Sequence, residues 1–427
     1  MRFGGAKFLG GIKMEKEKKQ LNKNVLAIVI CWLVYTCSYL GKLGYNANIV
    51  LIESEFGVSH AESGTVGTAF FFAYGAGQII NGLLCKKYNA KYTIFCALVV
   101  SAACNFAVAV IRDFAWLKVV WLVNGMALSF LWSLLIRYLS EVLDEKYISK
   151  AVVIMGTTVA TGTFAVYGLS ALFVSLNAYK TIFYVASALL PAIAIAWFIA
   201  HSIIGNGTSS EKQEQINELP VGEKKKVGFD FIALVAVLAV FAMITNLEKD
   251  GINVWVPTIL KELYEMPDYL SILLTLCLPL VAVFGTMVAV FLNKYIKDFV
   301  TLCGAFFLAT MFTLAVNIAI MRSSVVITLV CLSLISLFMS GTNNVITSMV
   351  PLYYKDKANA GLLAGVLNGC CYIGSTLSSY GLGAVADACG WESVFYLLLA
   401  CAALCCFITA ITIIISHCKS SKTRPKS

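Results

Sequence analysis

Residues 40–46 read Leu40-Gly41-Lys42-Leu43-Gly44-Tyr45-Asn46, and residues 247–253 read Leu247-Glu248-Lys249-Asp250-Gly251-Ile252-Asn253. The shared pattern Leu-x-Lys-x-Gly-x-Asn therefore occurs once in each half of the chain. Each copy puts a lysine within or beside a long apolar segment, where a charged side chain costs about 2.5–3.5 kcal/mol on insertion into a bilayer. The repeated pattern indicates a duplicated membrane fold, and the cost of inserting each lysine indicates that the two lysines have a function.

The composition excludes a water-soluble globular protein. Of the 427 residues, 59% are hydrophobic and only 13% are charged, which leaves too few polar side chains to cover a soluble surface. Apolar runs of about 20 residues, enough to cross a bilayer as helix, recur along nearly the whole chain. Because these runs are rich in Leu and Ala and show little alternation of period two, we expect an all-α polytopic membrane protein rather than an outer-membrane barrel.

The apolar runs predict twelve transmembrane helices in two six-helix bundles. We place the helices at about 25–53, 63–84, 93–111, 115–139, 151–176, 181–203, 229–259, 271–292, 299–320, 325–353, 361–385 and 393–416. Two halves with an aligned intramembrane pattern are typical of transporter repeats, whose substrate site lies between them near mid-membrane. The predicted organisation is a basic N-tail at 1–24, an N-terminal bundle at 25–204, a cytoplasmic central loop at 205–228, a C-terminal bundle at 229–417 and a C-tail at 418–427.

The basic residues predict the orientation. An even number of helices places both termini on one side, and most of the 32 Lys and Arg residues then fall on that side. By the positive-inside rule the termini are cytoplasmic, in a multi-pass protein of the cell membrane. The net charge of +9 follows from this topology and from contact with anionic lipid. We therefore expect membrane lipid, and not nucleic acid, as a partner.

Polar side chains form stripes along several predicted helices. In helix 1 they are spaced four, three and four residues apart, and in helix 7 three and four, so each set lies on one helix face. The helix 1 stripe is Tyr35, Tyr39, Lys42 and Asn46, the helix 7 stripe is Asn246, Lys249 and Asn253, and shorter sets include Tyr74 and Gln78 in helix 2, Asn344 in helix 10 and Tyr372 in helix 11. These stripes predict a polar cavity between the bundles.

The polar stripes have two alternative explanations besides a binding site. Polar and small side chains often pack and hydrogen-bond between membrane helices without further function. In addition, helix 7 has enough apolar residues before Glu248 to cross the membrane alone. In that case Lys249, with Glu248 and Asp250 beside it, would lie near the outer surface.

If both lysines face one cavity, their chemistry favours an anion. Two ammonium groups in a low-dielectric cavity attract phosphate or carboxylate, and tyrosine hydroxyls add neutral donors. Glu248 and Asp250 would compensate Lys249 in the empty cavity. Arg137 and Lys87, at inner helix ends, are predicted to form a cytoplasmic gate, with an interfacial anchor as the equal alternative for Arg137.

The chain resembles the major facilitator superfamily and, within it, the organophosphate:phosphate antiporters, and the resemblance covers essentially all twelve helices. The matching pieces are Tyr35-x3-Tyr39-Leu40-Gly41-Lys42, Ala73-Tyr74-Gly75, Trp132-x4-Arg137, residues 251–262, and residues 364–391 from Ala364-Gly365 through Tyr372-Ile373-Gly374 to Asp387-Ala388-Cys389-Gly390-Trp391. The resemblance implies that Lys42 and Lys249 stand where the family binds phosphate with two arginines, and that Tyr35, Tyr39, Tyr74 and Tyr372 match tyrosines of the family. Gln78 stands where the family has a lysine.

The residues and the resemblance together predict a secondary active transporter that carries a small organic anion by alternating access, first of all by exchanging an organic phosphate for inorganic phosphate. A carboxylate or other anion transporter of the same superfamily and a transporter-like sugar-phosphate sensor are the alternatives. We expect a monomer without a cofactor, with phosphate or a proton as the coupled species, and no enzyme activity, since no phosphate-cradling Gly-rich loop with Lys-Ser/Thr is present. The predicted substrate-binding residues are Lys42, Lys249, Tyr35, Tyr39, Tyr74, Gln78, Asn46, Asn246, Asn253, Asn344 and Tyr372, and the predicted gate residues are Arg137 and Lys87.

Overall fold

The structure is a computed structural model that describes residues 4–84, 87–205, 229–354 and 360–422. The predicted central loop lies outside these residues, apart from its first position. In chain order the helices are α1 (Gly4–Ala47), α2 (Ile49–Phe56), α3 (His60–Leu84), α4 (Ala90–Val110), α5 (Phe114–Leu128), α6 (Leu131–Val142), α7 (Glu145–Gly156), α8 (Thr158–Ser175), α9 (Thr181–Ile204), α10 (Phe229–Tyr264), α11 (Asp268–Leu274), α12 (Cys277–Leu292), α13 (Phe299–Ile320), α14 (Val325–Asn344), α15 (Val350–Tyr353) and α16 (Ala360–Lys422), with one π turn at Val345–Met349.

The prediction of an all-α polytopic membrane protein is confirmed. Within the described residues, ten helical stretches are long and apolar enough to cross a membrane. One of them, Leu363–Ile415, extends over 53 residues and bends at Gly390, where the positive φ of 79° breaks the helix and favours glycine. Two crossings in that stretch, together with the 25-residue helix α3, make the structure consistent with the predicted twelve.

The first helix differs from its predicted boundary. It begins at Gly4 rather than near residue 25, so the basic N-tail continues the first membrane helix. The segment Met14-Glu15-Lys16-Glu17-Lys18-Lys19-Gln20-Leu21 explains this extension, because Met, Glu, Lys, Gln and Leu are good helix formers.

The molecule has two opposite faces. The terminal face carries the helix ends Ile204 and Phe229, and Lys23 Nζ of α1 donates to the carbonyl of Ile204 there at 3.0 Å. The distal face lies opposite and carries the α2–α3 connection and the α10–α11 connection. Helices α1–α9 form the N half and helices α10–α16 form the C half.

Buried amides hold the centre of α1 in place within the N half. The carbonyl oxygen of Gly41 accepts hydrogen bonds from Asn105 Nδ2 at 3.2 Å and from Asn124 Nδ2 at 2.7 Å, and both asparagines are fully buried. A Cβ on Gly41 would overlap the hydroxyl of Ser101, so α1 and α4 are in close contact at this point. These contacts set the height and rotation of α1 one residue before Lys42.

The two halves touch closely on the distal side. Helix α3 of the N half packs along α16 of the C half, where a Cβ on Gly64 would overlap the backbone carbonyl of Ser379. A Cβ on Gly383 would lie 2.6 Å from the carbonyl oxygen of His60. Small residues let membrane helices approach to backbone contact in this way, so the distal ends of the two halves are closed against each other.

Candidate functional site

A cavity of about 590 Å³ lies between the two halves. Both copies of the repeated pattern contribute to its wall, Lys42 and Asn46 from α1 and Lys249 and Asn253 from α10. This placement excludes the alternative in which Lys249 lies at the outer surface. Lys42 and Lys249 therefore line the same cavity, as transporter repeats with a central site require.

The Lys42 ammonium is surrounded by aromatic rings. Its Nζ lies 4.5 Å from the ring centroid of Tyr74, 5.7 Å from that of Tyr39 and 5.9 Å from that of Phe70. Such cation–π contacts contribute about 0.5–2 kcal/mol each, depending on desolvation. Among the described residues, no carboxylate lies within ion-pair distance of Lys42. The rings stabilise a cation without neutralising it, which leaves its charge available to a ligand.

Lys249 differs from Lys42 because a carboxylate that lines the cavity pairs with it. Its Nζ lies 3.5 Å from Asp250 Oδ1. The other carboxylate oxygen of Asp250 accepts hydrogen bonds from Ser375 Oγ at 2.5 Å and from Asn246 Nδ2 at 3.3 Å, and Asn246 Oδ1 in turn accepts one from Asn343 Nδ2 at 2.7 Å. This network joins α10, α14 and α16 and fixes the Asp250 carboxylate beside Lys249.

The cavity keeps a net positive charge. Its charged lining residues are Lys42, Lys249 and Asp250, which sum to +1. Glu248 does not change this balance at the cavity wall, since its side chain is fully buried and both of its carboxylate oxygens lack a hydrogen-bond partner among the described residues. Only one of the two acids beside Lys249 therefore compensates it at the cavity wall, and one positive charge of the lining has no matching negative charge.

The other predicted binding residues divide into two groups. Tyr39, Asn246, Asn344 and Tyr372 line the cavity with the four residues of the repeated pattern. Tyr35, Tyr74 and Gln78 lie behind this wall: the Tyr35 ring packs 4.8 Å from the Trp132 ring, the Tyr74 ring packs 5.1 Å from the Tyr372 ring, and Gln78 Nε2 donates to the carbonyl of Ser129 at 3.3 Å. The structure thus brings the lysines, asparagines and two tyrosines together. Tyr35 and Tyr74 pack against the lining residues Trp132 and Tyr372, whereas Gln78 contacts Ser129 outside the lining.

The predicted gate residues lie at the terminal face within the N half. Arg137 Nη2 donates to the carbonyl of Tyr88 at 2.9 Å, and its Nε lies 3.2 Å from Glu141 Oε1. Lys87 is exposed just before α4. The Arg137 contacts fasten α6 to the connection between α3 and α4, which is what an anchor would do. A gating role of Arg137 and Lys87 stays a prediction.

Asp250 and Asn343 are cavity residues outside the predicted substrate-binding set. The sequence predicts Asp250 only as a compensating charge for Lys249, and Asn343 precedes the predicted Asn344 by one position. Both line the cavity because its wall follows a broad arc of each helix rather than a single row of side chains. An acid directly after an intramembrane lysine is the signal that was present for Asp250.

Comparison with known proteins agrees with this architecture. The family model of the Major Facilitator Superfamily matches residues 31–379. A probable hexose phosphate transport protein of Chlamydia pneumoniae is 20% identical over 405 residues, covering 87% of both chains. The membrane sensor protein UhpC of Escherichia coli (strain K12) is 22% identical over only 98 residues, which are 23% of this chain and 22% of that protein.

Solved structures show the same fold. A bacterial homologue of the human lysosomal transporter Spinster, in an inward-facing and occupied conformation, superposes with a TM-score of 0.73 at 14% identity and covers 90% of this chain and 96% of that one. The nucleoside transporter NupG superposes with a TM-score of 0.67 at 16% identity and covers 92% of this chain and 99% of that one. With the family match over most of its length, the chain belongs to the Major Facilitator Superfamily and is a multi-pass membrane protein of transporter type rather than an enzyme.

Proposed function

We propose that the protein is a secondary active transporter of a small organic anion, with exchange of an organic phosphate for inorganic phosphate as the leading reaction. The observation that carries this proposal is the environment of Lys42, a cavity cation with aromatic neighbours and no carboxylate partner among the described residues. The distant relationship to a protein named as a probable hexose phosphate transporter supports phosphate as the anionic group.

The closed distal face supports alternating access. We infer that the terminal face is cytoplasmic, as the distribution of Lys and Arg predicts. Close contacts between α3 and α16 then lie on the outer side of the cavity, which corresponds to an inward-facing state. Transport requires that these contacts separate while the terminal ends of the two halves approach each other.

Counterflow in proteoliposomes tests the proposed reaction. Vesicles containing the full-length protein are loaded with unlabelled phosphate, and uptake of labelled phosphate, glycerol-3-phosphate and hexose phosphate is followed. We expect labelled phosphate to enter vesicles preloaded with a phosphate compound and not to enter empty ones. Absence of counterflow with every phosphate, together with flux of a carboxylate, would establish the carboxylate alternative, because two lysines bind either group.

A sensor remains the second candidate because of the short match to UhpC. A sensor would bind its anion in the same cavity, so binding alone does not separate the two functions. Saturable binding of a hexose phosphate without measurable counterflow in the same preparation is the result expected of a sensor. Binding with counterflow is the result expected of a transporter.

Replacing Asp250 by Asn is expected to tighten anion binding. The substitution keeps the shape of the side chain but removes the charge that competes with a ligand for Lys249. An ion pair of this partly exposed kind is worth about 1 kcal/mol, so the Kd for phosphate should fall about fivefold, with slower release. Titration of labelled phosphate onto the full-length protein in nanodiscs measures this change.

The matched control for Asp250→Asn is Asp268→Asn. Asp268 also pairs with a lysine, Lys261, at 2.8 Å, but at the start of α11 near the distal face. Its substitution should leave phosphate affinity unchanged. Weaker phosphate binding in Asp250→Asn than in the control would mean that Asp250 helps to hold the ligand instead of competing with it.

A further inference from the structure

One histidine joins the two halves at the distal face, outside the cavity. His60 opens helix α3, and its ring lies between two acids: Nδ1 is 3.2 Å from Glu53 Oε1, and Nε2 is 3.1 Å from Glu262 Oε1. Glu53 belongs to α2 of the N half and Glu262 to α10 of the C half. His60 therefore bridges a carboxylate of its own half and a carboxylate of the opposite half.

The acids beside His60 are held in place by other groups. The hydroxyl of Ser63 donates to Glu53 Oε1, and Trp391 Nε1 donates to Glu262 Oε2 at 2.8 Å. Glu53 is also almost fully buried. These contacts hold one oxygen of each carboxylate within 3.2 Å of an imidazole nitrogen.

Other charges around this site are paired or act on the backbone. Asp387 of α16 accepts the backbone N–H groups of His60 at 3.1 Å and Ala61 at 2.7 Å, so it caps a helix of the opposite half. Glu62, next to His60 on α3, accepts the backbone N–H of Ser59 at 3.2 Å. On α10, Lys261 pairs with Asp268. The nearby charge is thus predominantly negative, and the imidazole is the group positioned to balance it.

The proton count of the ring decides whether both contacts are favourable. A neutral imidazole has one N–H donor and one nitrogen lone pair, whereas the imidazolium has two N–H donors. With a carboxylate oxygen beside each nitrogen, the neutral ring would direct a lone pair at one carboxylate. The charged ring instead attracts both. The closed distal face therefore favours the protonated ring, and separation of the halves removes Glu262 from it.

We propose that His60 is a proton-binding site that couples protonation to closure of the distal face, the bound proton joining Glu53 of the N half to Glu262 of the C half. Protonation stabilises the closed distal face, and loss of the proton favours its opening. The inference rests on the alternating access of the proposed function but not on which anion is carried. It makes the external pH a determinant of which conformation the protein adopts.

The linkage between proton binding and conformation determines how strongly pH changes the opening of the distal face. When one conformation binds one more proton than the other, their ratio changes by at most about tenfold per pH unit. The sign follows from the geometry, because the closed state has the additional carboxylate and holds the proton more tightly. Opening should therefore increase as the pH rises through the range in which the ring loses its proton.

Hydrogen–deuterium exchange measures this opening without any substrate. The full-length protein in lipid nanodiscs is compared at about pH 5.5 and about pH 8.5, a range that brackets histidine titration, with uptake corrected for the intrinsic exchange rate. In the wild type, we expect residues 57–70 and 376–391 to be protected at low pH and to lose about tenfold or more of that protection at high pH. His60→Gln should exchange equally at both values.

Two further variants make the result specific. Glu262→Gln removes the contact to the opposite half and should also lose most of the pH dependence, while keeping an oxygen that can accept from Trp391. Glu62→Gln, an acid on the same helix that does not contact the ring, should behave as wild type. A pH dependence in both His60→Gln and Glu262→Gln equal to that of the wild type, or none in the wild type, would overturn the inference. Failure of phosphate counterflow would overturn the proposed substrate and leave this experiment intact.

Discussion

Lys42→Gln is expected to reduce phosphate counterflow to the background of protein-free vesicles, while the variant still reaches the membrane. Lys42 supplies the cavity charge that no acid of the described residues neutralises. A hydrogen bond between charged groups is worth about 1.5–3 kcal/mol, which corresponds to about 10- to 150-fold in affinity. The rate of labelled phosphate uptake into proteoliposomes, at equal amounts of reconstituted protein, measures the loss.

Lys42→Arg is the matched control for this experiment. It keeps the positive charge above the Tyr74 ring, where guanidinium groups also form favourable cation–π contacts, and adds a second donor for a phosphate oxygen. We expect it to retain counterflow. If Lys42→Gln transports as fast as the wild type, Lys42 is a structural cation held by aromatic rings, and the assigned binding role is wrong.

Gly64→Val is expected to slow transport although residue 64 lies outside the cavity. A valine Cβ at this position overlaps the backbone carbonyl of Ser379, so α3 and α16 must move apart and closure of the distal face becomes less favourable. Overpacking of this kind costs about 1–3 kcal/mol, equivalent to about 5- to 150-fold in the population of the closed state. We expect the counterflow rate to fall by about tenfold or more, with phosphate affinity within about threefold of wild type because the cavity wall is unchanged.

Gly168→Val provides the comparison. Gly168 lies within α8, and a Cβ there would meet no atom within 4 Å. Valine has the same intrinsic helix propensity at position 168 as at position 64, but at position 168 it makes no clash. Counterflow in Gly168→Val should remain near that of the wild type. Equal rates in Gly64→Val and Gly168→Val would show that close packing of α3 on α16 is not needed in the transport cycle.

Several features of the site were predictable from local sequence properties. The cost of a lysine in an apolar segment and the helical spacing around Lys42 and Lys249 depend on a few neighbouring residues, and the repeat places the two lysines at equivalent positions. The all-α membrane fold likewise follows from the lengths of the apolar runs. These quantities need no knowledge of which helices pack together.

Other features depend on packing between distant segments. Glu248 and Asp250 flank Lys249 symmetrically in sequence, yet only Asp250 lines the cavity, because the rotation of α10 is set by its contacts with α14 and α16, including the hydrogen bond from Ser375. His60 has no local feature that identifies it; its partners Glu53 and Glu262 come together only when the two halves meet. The backbone contact at Gly64 has the same origin.

A crystal structure of the protein soaked with arsenate tests whether one anion binds between the lysines of the two repeats. Arsenate has the shape and charge of phosphate and can be located by its anomalous scattering. We expect one arsenate in the cavity, with oxygens within about 4 Å of both the Lys42 and the Lys249 ammonium groups, the distance of an ion pair, and with Asp250 moved away from Lys249. A cavity without arsenate under conditions that support phosphate counterflow, or an arsenate bound away from both lysines, would show that Lys42 and Lys249 do not form the anion site.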